Sequence, residues 1–267
     1  MIKRRHLFEF EDQAWFPGLI RDGGTDFLGF LLKLLDFYKP AIKILEEAIV
    51  RSGRQQVLDL CSGNGGPVAS IARGLPTELH IRFVLSDKFP NLQAYQEIEA
   101  STKGHIGYCR HPVDALDPGI DIPGFRTMFS AIHHFKPEEV TVILKNAVDN
   151  GMPIGIFDGG DKHLCTVIGI LLFHPLLFLF CTPFIRPFRF SRLLFTYLIP
   201  LIPLFTIWDG AISIFRLYRP EALMRLAQAA DPERQYTWEC GKQRNRFGLN
   251  VAYLIGIPVS RSGEPQP

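Results

Sequence analysis

The sequence predicts a doubly wound α/β fold on a mostly parallel sheet, and three observations predict it. The apolar run Val57-Leu58-Asp59-Leu60 leads into the small-residue turn Cys61-Ser62-Gly63-Asn64-Gly65-Gly66, and a helix from Pro67 to Arg73 follows. Strand, glycine turn and helix N-terminus together make the nucleotide-binding corner of such a sheet. Short apolar runs then alternate with helical stretches as far as Asp158, the pattern of parallel strands joined by crossover helices. Finally, Gln235 to Lys242 and Leu249 to Ile257, parted by a turn at Arg244 to Gly248, read as a closing antiparallel pair.

Each element has its own signal. Phe8 to Pro17 mixes aromatic and acidic residues ahead of a glycine break at Gly23-Gly24, and reads either as a lid or as an ordinary capping segment. From Asp26 to Val50 apolar residues recur at helical spacing (Phe27, Leu31, Leu35, Ile42, Leu45, Ile49). Thr25 or Asp26 suits the cap of this leader, and Pro40 divides it into two helices near Lys39. Ile81 to Leu85 forms a second strand ending at Ser86-Asp87, 22 residues after Gly65. An acid at that place can accept hydrogen bonds from ribose hydroxyls. Phe125 to Ile132 reads as the fourth strand, followed by His133-His134-Phe135 and a helix from Pro137 to Val148. Met152 to Phe157 is the fifth, ending at Asp158. The stretch between Asp114 and Phe125 is too short and too rich in Pro and Gly for a full crossover helix.

A dinucleotide fingerprint wants a third glycine or alanine where Val68 stands, which disfavours a nicotinamide cofactor. The glycine turn instead resembles motif I of the class I S-adenosylmethionine-dependent methyltransferases, with Asp59, Gly63 and Gly65 matching and Cys61 in place of the first glycine. Asp87, the run Pro112 to Leu116 and the strand-four segment extend the resemblance over roughly 55–158, and it resumes near Arg216. It implies a seven-stranded sheet with an antiparallel last strand and S-adenosylmethionine as cofactor. By resemblance Asp59 orients the glycine loop or meets the methionine amino group, while Gly63 and Gly65 let the cofactor approach the backbone. Asp87 would hold the ribose and Asp114 the adenine amino group. Cys61, Asn64, Lys88, Ala115 and Ser130 complete the implied cofactor contacts. The same fold also serves proteins that bind without turnover.

The balance of 29 Lys and Arg against 27 Asp and Glu, net +2, argues against nucleic acid as partner. Five cysteines without a C-x-x-C pair suit a reducing, cytoplasmic setting, and no signal peptide is expected. The histidines lack ligand spacing, so no metal is expected. His133, His134 and Asp158, beyond the ends of strands four and five, are the candidate catalytic residues. An imidazole can take a proton near neutral pH, but the His-His-Phe turn and Asp158 also have purely structural readings. Asp209 reads as a turn residue or a pocket-lining one.

Residues 159–218 are an insertion after strand five, between a leader (1–52) and cofactor half (53–158) on one side and a closing helix and hairpin (219–259) on the other. A disordered tail (260–267) is expected to follow. Leu164 to Ile185 carries no charge, and Leu193 to Ile207 is apolar but holds Pro200 and Pro203. The first segment, about 22 residues or roughly 33 Å as a helix, reaches spanning length. A spanning hairpin would put Arg186, Arg189 and Arg192 outside, against the positive-inside bias. The expectation is a monotopic arrangement at the inner face of a membrane, with 164–207 touching lipid, His174-Pro175 and Pro183 interrupting the first segment, and the arginines meeting anionic headgroups. A soluble apolar cap or an oligomer interface is the alternative. Either way a cover of this kind implies a hydrophobic acceptor: a lipid, an isoprenoid or quinone, or a polyketide-like compound, methylated at oxygen or carbon.

Overall fold

The computed structural model describes residues 3–119 and 123–259; the predicted tail lies outside the described residues. Strands β1 (Gln56–Asp59), β2 (Arg82–Leu85), β3 (Ile106–Tyr108), β4 (Phe125–Phe129), β5 (Ile154–Gly159), β6 (Tyr236–Arg244) and β7 (Asn250–Pro258) form one sheet in the order β3-β2-β1-β4-β5-β7-β6. Only β7 runs against its neighbours. The order reverses at β1, which pairs in parallel with β2 on one side and β4 on the other. A crevice opens beyond the carboxyl ends of the strands at such a switch point.

Alternate residues of each buried strand face opposite layers, as a period of two requires. Val57, Phe83, Phe125 and Phe157 pack with α2 (Lys39–Ser52) and α3 (Gly66–Gly74). Leu58, Met128, Ile156 and Leu254 pack with α5 (Pro137–Asp149) and α9 (Pro220–Ala230). Helix α4 (Leu92–Ser101) starts at Asn91, whose side chain accepts from the Ala94 amide. Strand β3 has three residues and α4 a weak apolar pattern, and neither was expected at its place. Among the described residues the stretch from Asp114 to Phe125 holds no helix, as expected.

The leader differs from its expected form. Helix α1 begins at Gly18 and runs to Leu34, straight through Gly23-Gly24. These glycines allow close packing: a Cβ on Gly23 would lie 2.4 Å from Ile202 Cδ1, and one on Gly24 2.2 Å from Phe205 Cζ. Neither Thr25 nor Asp26 caps a helix. Thr25 Oγ1 donates to the Asp22 carbonyl, and Asp26 is buried and paired with Arg192 Nη2 at 2.6 Å. The two leader helices also belong to different layers. Helix α2 packs on the sheet, whereas α1 shares a third core with the insertion through Ile20, Phe27, Phe178, Ile185, Ile202 and Phe205.

The insertion contains α6 (Leu164–Cys181), a 3-10 turn (Thr182–Phe184), α7 (Phe190–Leu193), a π-helical turn (Leu194–Leu198) and α8 (Leu201–Arg216). A 79° bend at Ile199-Pro200 separates the last two, where the second segment was expected to break. Helix α6 is not interrupted at His174-Pro175. His174 stacks on Phe27 and Phe178, whose own rings lie 3.6 Å apart, and the helix ends only ahead of Pro183. Arg189 and Arg192 do not face outward. Both are drawn onto Asp26 of α1, at 3.4 and 2.6 Å, because burying a charge requires a partner. Arg186 remains exposed.

The contact between α1 and α8 gives a prediction. Gly24→Ala should lower stability by about 1–3 kcal/mol through overpacking, whereas Gly18→Ala, with nothing within 4 Å of its Cβ, should not. Urea denaturation of the two variants measures the contrast.

Candidate active site

A cleft of about 650 Å³ lies at the switch point, bordered by the β1 turn, Asp87, Asp114, Ser130, α1 and the N-terminal segment. The β1 turn is held from behind. Asp59 is buried, and its carboxylate accepts from Thr127 Oγ1 and Ser62 Oγ, each at 2.7 Å. Burial pushes its pKa up to about 7, against the pull of those hydrogen bonds. It does not line the cleft, so of its two expected roles the structure assigns it the orienting one.

Cys61 adopts the left-handed conformation (φ 59°), which explains why a glycine belongs at this place. Gly63 (φ 56°) has no atom within 4 Å of a would-be Cβ, so its backbone borders open cleft. Gly65 is positive too (φ 74°), but a Cβ there would meet Leu85 and Ile98. It closes the turn against the core, not the cleft. Asn64 lines the cleft, caps the Gly66 amide and rests on Gly29 of α1. Ser130, at the end of β4, is a second strained residue at the cleft (φ 51°) and shares a hydrogen bond with the Tyr38 hydroxyl. Two non-glycine residues of positive φ at one cleft suit a functional site.

Asp87 accepts from the Gly63 amide (2.8 Å) and the Phe89 amide (2.7 Å), one bond to each carboxylate oxygen. Burial raises its pKa in spite of them. Each oxygen retains a lone pair for a ligand hydroxyl. Lys88 pairs with Asp114 at 2.8 Å, and Asp114 also accepts from the Leu116 amide. Lys88, Asp114 and Ala115 all line the cleft. These residues suit an adenosyl group: a glycine backbone open to the ligand, a carboxylate for the ribose and a second acid for the base.

The candidate catalytic residues fare differently. His133 is buried with Nδ1 2.8 Å from Asp158 Oδ2, and Asp158 also accepts from the amides of His133 and Gly159. Neither residue lines the cleft. They lock the turn after β4 to the end of β5, so neither stands where a substrate proton would be. His134 does line the cleft, but Nδ1 lies 2.9 Å from Glu9 and 2.8 Å from Asp12, and Nε2 lies 3.3 Å from Glu11. Burial alone would favour the neutral ring; the carboxylates outweigh it and raise the pKa well above the usual value. Both ring nitrogens of His134 face carboxylates of the N-terminal segment, so neither is turned to a substrate proton.

Those carboxylates belong to the N-terminal segment, which crosses the cleft as a strap. Arg216, buried at the end of α8, places Nη1 2.6 Å from Glu9 and 2.7 Å from Asp12. Asp209, buried in α8, accepts the amides of Phe10 and Glu11 at 2.9 and 3.0 Å. It therefore holds the strap and does not line the pocket, and burial pushes its pKa up to about 7. The acid-rich composition of Phe8 to Pro17 hinted at a lid, but nothing local announced Asp209 or Arg216 as its partners. Ligand atoms of Glu9, His133 and His134 lie within 4.8 Å of one another, a grouping that sequence spacing did not reveal. Arg216 supplies positive charge beside them, 2.6 Å from Glu9.

No family model matches the chain, and no curated protein matches it in sequence. Solved structures do resemble it. The methyltransferase domain of bacterial CtHen1 aligns with 82% of this chain and 98% of its own at 8% identity and a TM-score of 0.50. An O-methyltransferase family protein from Burkholderia thailandensis aligns with 86% of the chain at 14% identity (TM-score 0.49), and the pyocyanin biosynthetic protein PhzM with 81% at 12% (0.48). The chain spans 58% and 54% of the length of these last two. It has the class I S-adenosylmethionine-dependent methyltransferase fold.

Two predictions follow from this geometry. Asp87→Ala should weaken S-adenosylmethionine binding by about 1.5–3 kcal/mol, roughly 10- to 150-fold, since a charged acceptor is lost; calorimetric titration measures it. Glu9→Gln should lower stability by about 3–5 kcal/mol, because it breaks a buried ion pair. A base whose folded pKa is raised, as for His134, contributes fully below about 6.5 and loses that contribution as pH rises through the folded value. Removing Glu9 lowers that folded value, so the variant's alkaline loss of stability should begin at lower pH than in the parent, as denaturation midpoints across pH would show.

Proposed function

We propose that the chain is an S-adenosylmethionine-dependent methyltransferase acting on oxygen or carbon of a hydrophobic acceptor at the inner face of a membrane. The observation that carries this reading is the cleft itself: an adenosyl-type cradle of Gly63, Asp87 and Asp114, crossed by an acidic strap that Arg216, at the end of the apolar insertion, holds in place. When bound, S-adenosylmethionine supplies an activated methyl group, so positioning does much of the work. Gly63 and Asn64 would face the amino-acid portion, Asp87 the ribose, and Asp114 with Ala115 the adenine.

The chain's remaining task is to orient the acceptor and relieve it of a proton where it carries one. Glu11 suits that task better than either histidine. It lines the cleft, stands beside His134, and burial pushes its pKa up to about 7, which fits a group that exchanges protons at neutral pH. The acceptor class is read from the apolar insertion that anchors the strap. Helix α6 with its 3-10 turn, Leu164–Phe184, has a mean hydropathy of 2.4, and 11% of that window is buried.

The test is incubation of the protein with S-adenosylmethionine labelled in its methyl group and a membrane lipid extract. Label should appear in an extractable lipid or quinone. Label only in water-soluble compounds would contradict the acceptor class, and no transfer by protein that binds the cofactor would indicate a binding protein without turnover.

A further inference from the structure

The insertion presents an apolar surface that nothing among the described residues covers. Leu172, Phe173, Phe180, Phe184, Phe190 and Leu198 are each 61–75% exposed. Helix α6 buries Val167 near its start and Phe178 near its end, against α1 and α8. Anchored at both ends, it lies along the domain rather than projecting from it, with an unpartnered face turned outward. Contiguous exposed apolar surface on this scale marks a binding surface.

Three observations say what binds there. The first is charge. Between Leu164 and Tyr218 the charged residues are Arg186, Arg189, Arg192, Asp209 and Arg216. Arg192, Asp209 and Arg216 are buried and the side chain of Arg189 is 10% exposed, which leaves Arg186, a cation, as the exposed charge. A surface so poor in charge, with a positive residue, complements an anionic lipid leaflet. The second is the aromatic set. Trp208 turns its Nε1 inward to the Phe8 carbonyl, and Tyr197 its hydroxyl to the Leu179 carbonyl, while both residues stay exposed. Their apolar rings remain free for the interfacial region that Trp and Tyr favour. The third is continuity. Leu7 and Phe8 are exposed yet also line the cleft, and Phe8 is tied to Trp208. The apolar surface therefore reaches the mouth of the cleft.

We infer that the strap and the insertion dock together on a lipid leaflet, so that the cleft opens at lipid level beside Phe8 and Trp208 and the acceptor passes into it from the bilayer. This rests on the methyltransferase reading for the word acceptor, though not for the docking surface. In such a pose Trp15 and Trp208 enter the leaflet by about 5–10 Å, while Trp238 stays clear, stacked on Tyr236, bonded to Asp231 and level with the start of β5, at the end of the sheet away from the cleft.

The chain holds three tryptophans, which makes the pose measurable. The double variants W15F/W238F, W208F/W238F and W15F/W208F each retain one of them. Each is mixed with anionic phosphatidylcholine–phosphatidylglycerol vesicles carrying brominated acyl chains, whose bromines quench only tryptophans within the leaflet. Emission from Trp208 and from Trp15 should fall on immersion to that depth, and that from Trp238 should stay unchanged. In the parent chain, Leu172→Glu with Phe180→Glu should abolish vesicle flotation and leave S-adenosylhomocysteine binding unchanged. No quenching of Trp208, equal quenching of Trp238, or a dimer in lipid-free sedimentation that those glutamates dissolve would overturn the inference. Failure of the methyltransferase reading shows separately, as absence of S-adenosylhomocysteine binding by parent protein that still floats with vesicles.

Discussion

The structure depends most on Arg216. Buried at the end of α8, it meets Glu9 and Asp12 of the strap at 2.6 and 2.7 Å and lies 3.4 Å from the His134 ring. A guanidinium taken out of water must be compensated by nearby carboxylates, and here they come from a segment some 200 residues away in sequence. That need fixes three things together: where the strap crosses the cleft, how α8 sits over the sheet, and which way the His-His-Phe turn faces. Asp209, about two turns of α8 earlier, completes the attachment through two backbone amides. The same ion cluster engages both ring nitrogens of His134 and leaves Glu11 at the cleft.

Around this polar centre the molecule divides by solvent. The cleft side carries acids, glycines and strained turns, arranged as a cradle for a polar ligand. The opposite side of the insertion is apolar and turned outward. Buried Asp26 and Arg192, with half-buried Arg189, join the two, binding α1 to the insertion while keeping these charges off its outer surface. An arginine-rich loop thus serves as an internal tie rather than a headgroup contact.

How much of this was legible in the sequence follows from the range of each interaction. The glycine turn, Asp87, the strands of the sheet and the closing hairpin were legible because strand periodicity and turn chemistry are local. The start of α1 was not, because Gly23 and Gly24 look like a break until Ile202 and Phe205 are seen packed against them. Strand β3 was missed because three residues carry no periodicity. The strap's partners were hidden because ion pairing leaves no mark on local composition. The histidine pair drew attention as candidate bases through residue type alone, and only its neighbours show that one is held among carboxylates and the other is locked to Asp158.

The central claim is that the switch-point cleft is built for the adenosyl sulfur cofactor. Calorimetric titration of the protein with S-adenosylhomocysteine, set beside a reduced nicotinamide dinucleotide, tests it most directly. The account predicts one site per chain for the former, with affinity in the micromolar range, and no heat from the latter. Binding of the dinucleotide with none of S-adenosylhomocysteine would contradict it.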